Sequence, residues 1–308
     1  MKRLHASVVL AICGLAAFAL QTAPAIAKKP AKNTKPANTG KPVKGAPVVP
    51  GSRYLALGDS VTFGYEEASV VPAPNYNDAA SFVNYPQVLG QEYHLNVANA
   101  SCPGETSSSF INTSAPSHGC ENNPAHSSSN YRTLFPLHVS YSGSQLAYAV
   151  SYLHGRHNVR LVSLMIGAND LFVCQETTSD HCASSAEQAA TSATVTKNVR
   201  TIVSAIRNQA HYNGQIVVVN YYSLDYASAA INAQSQLLNQ AQDAGARGFH
   251  VKFADGFGEF EAGALHSGGN TCTAGLLTML SAGGCGVHPS YSGQGLLAQA
   301  VAKTIKIS

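Results

Sequence analysis

Charge is scarce in this sequence. Asp, Glu, Lys and Arg make up 11% of it, against roughly 25% in an average soluble protein. Ser, Thr, Asn, Gly and Tyr carry the polarity instead, a balance that favours an exported protein over a cytosolic one. Acid is missing altogether from residues 1–51, which hold eight of the 19 Lys and Arg. From Ser52 onward there are 11 bases against 16 acids, a net charge of −5. A field of that sign repels phosphate backbones, so no nucleic-acid partner is expected. No apolar run reaches the roughly 20 residues of a membrane span, and no internal repeat is found. What is there, 45% hydrophobic residues in a chain of 308, suffices for one large core and excludes disorder throughout.

Residues 1–27 have the three parts of an export signal: Lys2 and Arg3, an apolar stretch over 6–20, and the small residues Ala25 and Ala27 for cleavage. The mature chain is expected to begin near Lys28. Cys13 follows Ile12, which is too large for the small residue a lipoprotein signal places before its cysteine, so Cys13 belongs to the leader. Residues 28–51, built from Lys, Pro, Ala, Gly and Thr, read as an extended, unpacked tether. Its six lysines offer at most a weak contact with an anionic cell surface. Residues 52–308 then form a single folded domain, read as a monomer.

Six cysteines remain: Cys102, Cys120, Cys174, Cys182, Cys272 and Cys285. An even number in an exported chain reads as disulfides, and their grouping into local pairs favours Cys102–Cys120, Cys174–Cys182 and Cys272–Cys285. Cys285 and His288 have zinc-like spacing, but no second ligand pair lies nearby. No metal or cofactor is expected.

Short apolar runs at 54–57, 95–98, 160–166, 216–220 and 250–253 fit buried parallel strands. Helical stretches alternate with them at 85–93, 144–153, 183–209, 227–244 and 292–305. This alternation predicts an α/β fold with a parallel sheet covered on both faces. In such sheets the ligand site lies beyond the carboxyl ends of the strands. Residues 107–143 break the alternation. They are too long for an ordinary connection, and Cys120 argues that they are ordered.

Four strand-end segments carry candidate chemistry. The first is Gly58-Asp59-Ser60, where a serine at a strand end stands exposed above the sheet, as a nucleophile must; alone it is also an ordinary turn. The second, Cys102-Pro103-Gly104-Glu105, offers a glycine N–H to a developing negative charge. The third, Gly167-Ala168-Asn169-Asp170, adds a side-chain amide, although Asn-Asp after a strand is a common helix cap. The fourth, Cys285-Gly286-Val287-His288-Pro289, supplies an imidazole from far along the chain.

Together, and in this order, these segments resemble the four blocks of the SGNH, or GDSL, hydrolase family over residues 54–305. The cysteine pairs make the chain similar to secreted actinomycete lipases and esterases of that family. The resemblance implies a three-layer α/β/α, flavodoxin-like fold around a five-stranded parallel sheet. It implies Ser60 as nucleophile and His288 as general base, with an oxyanion hole formed by the Ser60 and Gly104 N–H groups and the Asn169 amide. Asp59 and Asp170 match positions whose roles are architectural.

One departure matters: where the family usually has Asp three residues before the histidine, this chain has Cys285. Some family members use a backbone carbonyl there, which implies a Ser–His dyad oriented by the Cys285 carbonyl, with Asp255 as the less favoured substitute. The expected function is a secreted ester hydrolase, esterase or lipase, with an acyl-enzyme on Ser60. The alternatives are a carbohydrate O-deacetylase of the same family, or an inactive cell-surface binding module. Leu276, Leu277, Met279 and Leu280, at helical spacing, line an acyl pocket or, more simply, belong to the core.

Overall fold

A computed structural model describes residues 45–126 and 130–308. The export signal expected at 1–27 and the tether up to residue 44 lie outside the described residues. The tether does not extend to residue 51 as its composition suggests. Val48 is fully buried, its N–H donates to the Lys306 carbonyl at 2.8 Å, and it bridges Ile307. A valine beside proline reads as linker, but here its side chain joins the core next to the last helix.

Five parallel strands, β1 (Arg53–Gly58), β2 (Asn96–Asn99), β3 (Val159–Met165), β4 (Gln215–Val219) and β5 (Lys252–Ala254), form one sheet in the order β2-β1-β3-β4-β5. They are connected through α1 (Ser60–Phe63), α2 (Tyr85–Glu92), α3 (Tyr131–Leu134), α4 (Gln145–Gly155), α5 (Ala168–Thr177), α6 (Ser185–Ser204), α7 (Ala229–Ala246) and α8 (Gly256–Ala264). A hairpin of β6 (Leu277–Met279) and β7 (Cys285–Pro289) precedes the last helix, α9 (Tyr291–Thr304).

Alternate strand residues face opposite sides of a sheet, and both sides are apolar here. Leu55, Leu57, Val162, Leu164, Ile216 and Val218 pack with residues of α4, α6 and α7. Tyr54, Ala56, Leu161, Met165, Val217 and Val219 pack with α2, α8 and α9 on the other side. Each fully buried Leu or Val contributes roughly 1.5–3 kcal/mol, which explains why the strands read as unbroken apolar runs. The result is the expected three-layer α/β/α fold.

The strand order reverses between β1 and β3, and the crevice beyond their carboxyl ends is where such sheets place a ligand. Ser60 follows β1, and Asn169 follows β3. Two features depart from expectation. The apolar run 276–280 is not a helix: Leu277–Met279 is a strand, with Leu276 and Leu277 buried and Met279 51% exposed. Gly283 and Gly284, both at positive φ, turn the chain back into β7. α8 went unread because three glycines lower its helix propensity. Its cap at Asp255 and the burial of Phe260 and Ala264 hold it in place.

Candidate active site

The position of Ser60 is set by a turn with no slack. Gly58 ends β1 at φ 148°, and a Cβ there would stand 2.2 Å from the Met165 carbonyl oxygen of β3, so the chain can turn this close to its neighbour only as glycine. Gln145 clasps the same residue, accepting from Gly58 N at 2.6 Å and donating to Gly58 O at 2.9 Å. Asp59 caps the four-residue α1 by accepting from Val61 N at 3.0 Å. Burial pushes the Asp59 carboxyl up to about 6, against the Tyr221 hydroxyl and Val61 N–H that bond to it. Asp59 therefore shapes the turn, leaving Ser60 as the first residue of a short helix above the sheet.

His288 reaches Ser60 from β7. Its Nε2 lies 3.0 Å from Ser60 Oγ, and its Nδ1 lies 2.7 Å from Glu67 Oε1. The Tyr65 ring meets the imidazole edge-on at 5.0 Å. The expectation that the Cys285 carbonyl orients His288 is therefore corrected. Cys285 and His288 lie on the same extended strand, where three residues span roughly 10 Å, so that carbonyl is out of reach of the ring. Asp255 is no substitute, since it caps α8 by accepting from Gly258 N at 2.8 Å.

Glu67 comes from the loop after α1, which is stitched to the hairpin. Val71 N donates to Met279 O at 3.3 Å, and Ser281 N donates to Ser69 O at 2.7 Å. Glu67 also accepts from Val287 N at 3.2 Å and from Thr278 Oγ1 at 3.1 Å. Burial alone would raise its carboxyl, but the hydrogen bond and positive charge of His288 outweigh it and hold the group down to about 2. Sequence reasoning missed Glu67. The available signal was slight: with no acid at position 285, any carboxylate partner of His288 comes from elsewhere, and the pair Glu66-Glu67 follows Ser60 closely in a chain poor in acids.

Ser60, Gly104 and Asn169 line one cleft. Among the described residues, the N–H groups of Ser60 and Gly104 have no protein acceptor. Gly104 has φ 80°, and a Cβ on it would meet the His118 carbonyl oxygen at 2.5 Å. Asn169, 3% exposed, opens α5. Its amide donates to the Glu105 carbonyl at 3.0 Å, and its Oδ1 faces His118 Nδ1 at 3.2 Å. Asp170 beside it accepts from Ser107 N and Oγ at 2.7 and 2.6 Å, and burial pushes its carboxyl up to about 6. It ties α5 to the loop after Gly104.

A two-armed cleft opens at Ser60, with Asn169, Phe172, Val287 and His288 shared between the arms. One arm, about 450 Å³, is lined by Tyr65, His118, Asn130, Tyr131, Leu134 and Phe135. The other, about 230 Å³, is lined by Leu171, Tyr222, Leu224, Ile231 and Leu238 among others. The first arm's wall comes from residues 107–143, which accounts for that segment's length. Leu276, Leu277, Met279 and Leu280 line neither arm. The disulfides pair as the spacing suggested: Cys102–Cys120, Cys174–Cys182 and Cys272–Cys285. The first braces the Gly104 loop, and the last ties the hairpin that carries His288.

The sequence profile of the GDSL-like lipase/acylhydrolase family matches residues 56–296, and no curated protein matches the chain. Among solved structures, phospholipase A1 from Streptomyces albidoflavus superposes with a TM-score of 0.51 at 19% identity, covering 82% of this chain and 99% of its own. A putative GDSL-like lipase from Parabacteroides merdae has a TM-score of 0.50 at 14% identity, covering 83% and 96%. An acetylxylan esterase from Geobacillus stearothermophilus has a TM-score of 0.48 at 15% identity, covering 84% and 95%. With the profile spanning most of the chain, the protein belongs to the GDSL-like lipase/acylhydrolase family and is a carboxylic ester hydrolase.

Proposed function

We propose that this is a secreted serine esterase or lipase that works through an acyl-enzyme on Ser60, oriented by a Ser60–His288–Glu67 triad. The observation that carries the reading is the continuous relay from Ser60 Oγ through both ring nitrogens of His288 to Glu67. A carboxylate at Nδ1 keeps the proton on that nitrogen and leaves the Nε2 lone pair facing the serine. Ser60 Oγ attacks the ester carbonyl carbon while its proton passes to Nε2. The carbonyl π pair moves onto oxygen, where the N–H groups of Ser60, Gly104 and Asn169 receive the charge. Collapse expels the alcohol oxygen, which takes the proton from Nε2; water then repeats the sequence to release the acid.

The apolar arm, with Leu171, Leu224, Ile231 and Leu238, favours an acyl chain longer than acetyl. The wider arm, with its tyrosines and Asn130, suits the alcohol portion. Export is supported by the disulfides; no helix among the described residues is long and apolar enough to cross a membrane. Cell-surface contact through the lysines of the tether falls on residues outside those described.

The test is hydrolysis of nitrophenyl acetate, nitrophenyl decanoate and an acetylated sugar polymer, alongside fluorophosphonate labelling. The reading expects decanoate to be preferred, Ser60 to be the labelled residue, and Ser60→Ala to remove turnover. Preference for the acetylated polymer would transfer the assignment to a deacetylase. Labelling elsewhere, or no hydrolysis of any ester, would overturn it.

A further inference from the structure

The cleft holds a second imidazole–carboxylate pair that takes no part in the relay just described. His118 sits in the loop after Gly104 and lies along one face of α5, against Asn169, Phe172 and Glu176. These positions, i, i+3 and i+7, share a helix face. Its Nδ1 is 3.2 Å from Asn169 Oδ1 and its Nε2 is 3.1 Å from Glu176 Oε1, while the Phe172 ring stacks on it at 5.2 Å. Glu176 is held in turn by Asn123 Nδ2 at 3.3 Å, and His126 Nε2 lies 3.7 Å from it. The backbone of His118 also donates to Gly104 O at 2.7 Å. One residue thus touches two of the three groups that face the developing oxyanion.

The hydrogen-bond requirements fix the amide's orientation. The Glu105 carbonyl can only accept, so the nitrogen of Asn169 faces it. Oδ1 therefore faces His118 and needs a donor there, which places a proton on Nδ1. Without the imidazole, only the single bond to Glu105 would resist rotation of the amide, and a rotated amide would present an oxygen, not an N–H, to the oxyanion.

We infer that His118, held by Glu176, is a positioning residue that keeps the Asn169 amide turned for transition-state stabilisation. This rests on the ester-hydrolase reading. Losing an oxyanion-hole donor lowers kcat by about 10²–10³. Losing only its support is expected to cost less: about 10- to 100-fold in kcat for His118→Ala.

His118→Asn keeps a donor near the place of Nδ1 and is expected to recover most of that loss, whereas His118→Leu is not. Glu176→Gln, which removes the charge but leaves the His118 side chain in place, is expected to lower kcat less than His118→Ala does. The deciding measurement is a double-mutant cycle on nitrophenyl decanoate: in an Asn169→Ala background, His118→Ala should change kcat by less than about twofold. Losses that add fully in the double variant, or no rescue by His118→Asn, would overturn the inference while leaving the enzyme reading intact. A wild type that hydrolyses no ester and takes no label at Ser60 would instead defeat the enzyme reading itself. Thermal unfolding of each variant identifies any loss due to misfolding, and Glu176→Gln provides the independent arm if His118→Ala is destabilised.

Discussion

Glu67 and the two buried aspartates respond to pH in opposite directions. A carboxyl held down from 4.5 to about 2 in the folded state stabilises the fold above its unfolded value, and that contribution disappears as pH falls through about 2. Asp59 and Asp170, pushed up from 3.8 to about 6, favour the fold while protonated; their contribution is complete below 3.8 and lost as pH rises through about 6. Replacing Glu67 isolates the first effect. In urea denaturation, the stability advantage of wild type over Glu67→Gln should be steady above pH 4.5 and shrink progressively toward pH 2. An advantage independent of pH across that range would show that Glu67 is not held down by His288. Ser60, Gly104, Asn169 and His288 were legible because each lies in a short block at a strand end. Glu67 was not, because nothing in its local sequence distinguishes a carboxylate folded against an imidazole from one in water.

The hairpin of β6 and β7 determines whether Glu67 and His288 meet. Gly286 stands opposite Glu67, and a Cβ on it would lie 2.5 Å from both carboxylate oxygens. The end of a glutamate side chain moves easily, so Gly286→Ala should shift the melting temperature little yet lower kcat about 10-fold or more by pushing the carboxylate off Nδ1. A variant with full turnover would show that the hairpin tolerates the methyl without displacing Glu67. The Cys272–Cys285 bond closes a loop of sequence separation 13 and is expected to contribute about 3 kcal/mol. The Cys272→Ala, Cys285→Ala double variant should melt lower and, where still folded, turn over more slowly than wild type. The main strands were legible because burial on both faces leaves continuous apolar runs. The hairpin was not, since a five-residue apolar run fits strand and helix periods alike, and only its contacts with the loop over 66–71 decide between them.

At the scale of the whole molecule, the fold joins the two ends of the domain. Ser60 and Glu67 follow the first strand, His288 precedes the last helix, and the reversal of strand order between β1 and β3 opens the crevice in which they meet. The layered architecture and the location of the site followed from strand and helix alternation, because ligand sites in such sheets sit at strand carboxyl ends. The origin of the carboxylate depends instead on how a loop packs against a hairpin more than 200 residues away in sequence, which no local pattern encodes. The central claim is therefore the triad itself, and turnover of Glu67→Gln beside Asp255→Asn tests it most directly. With both variants verified as folded, the account predicts a loss of about 10³–10⁴ in kcat for Glu67→Gln, the scale seen when a triad carboxylate is neutralised, and less than about twofold for Asp255→Asn. A Glu67→Gln enzyme within tenfold of wild type would contradict it.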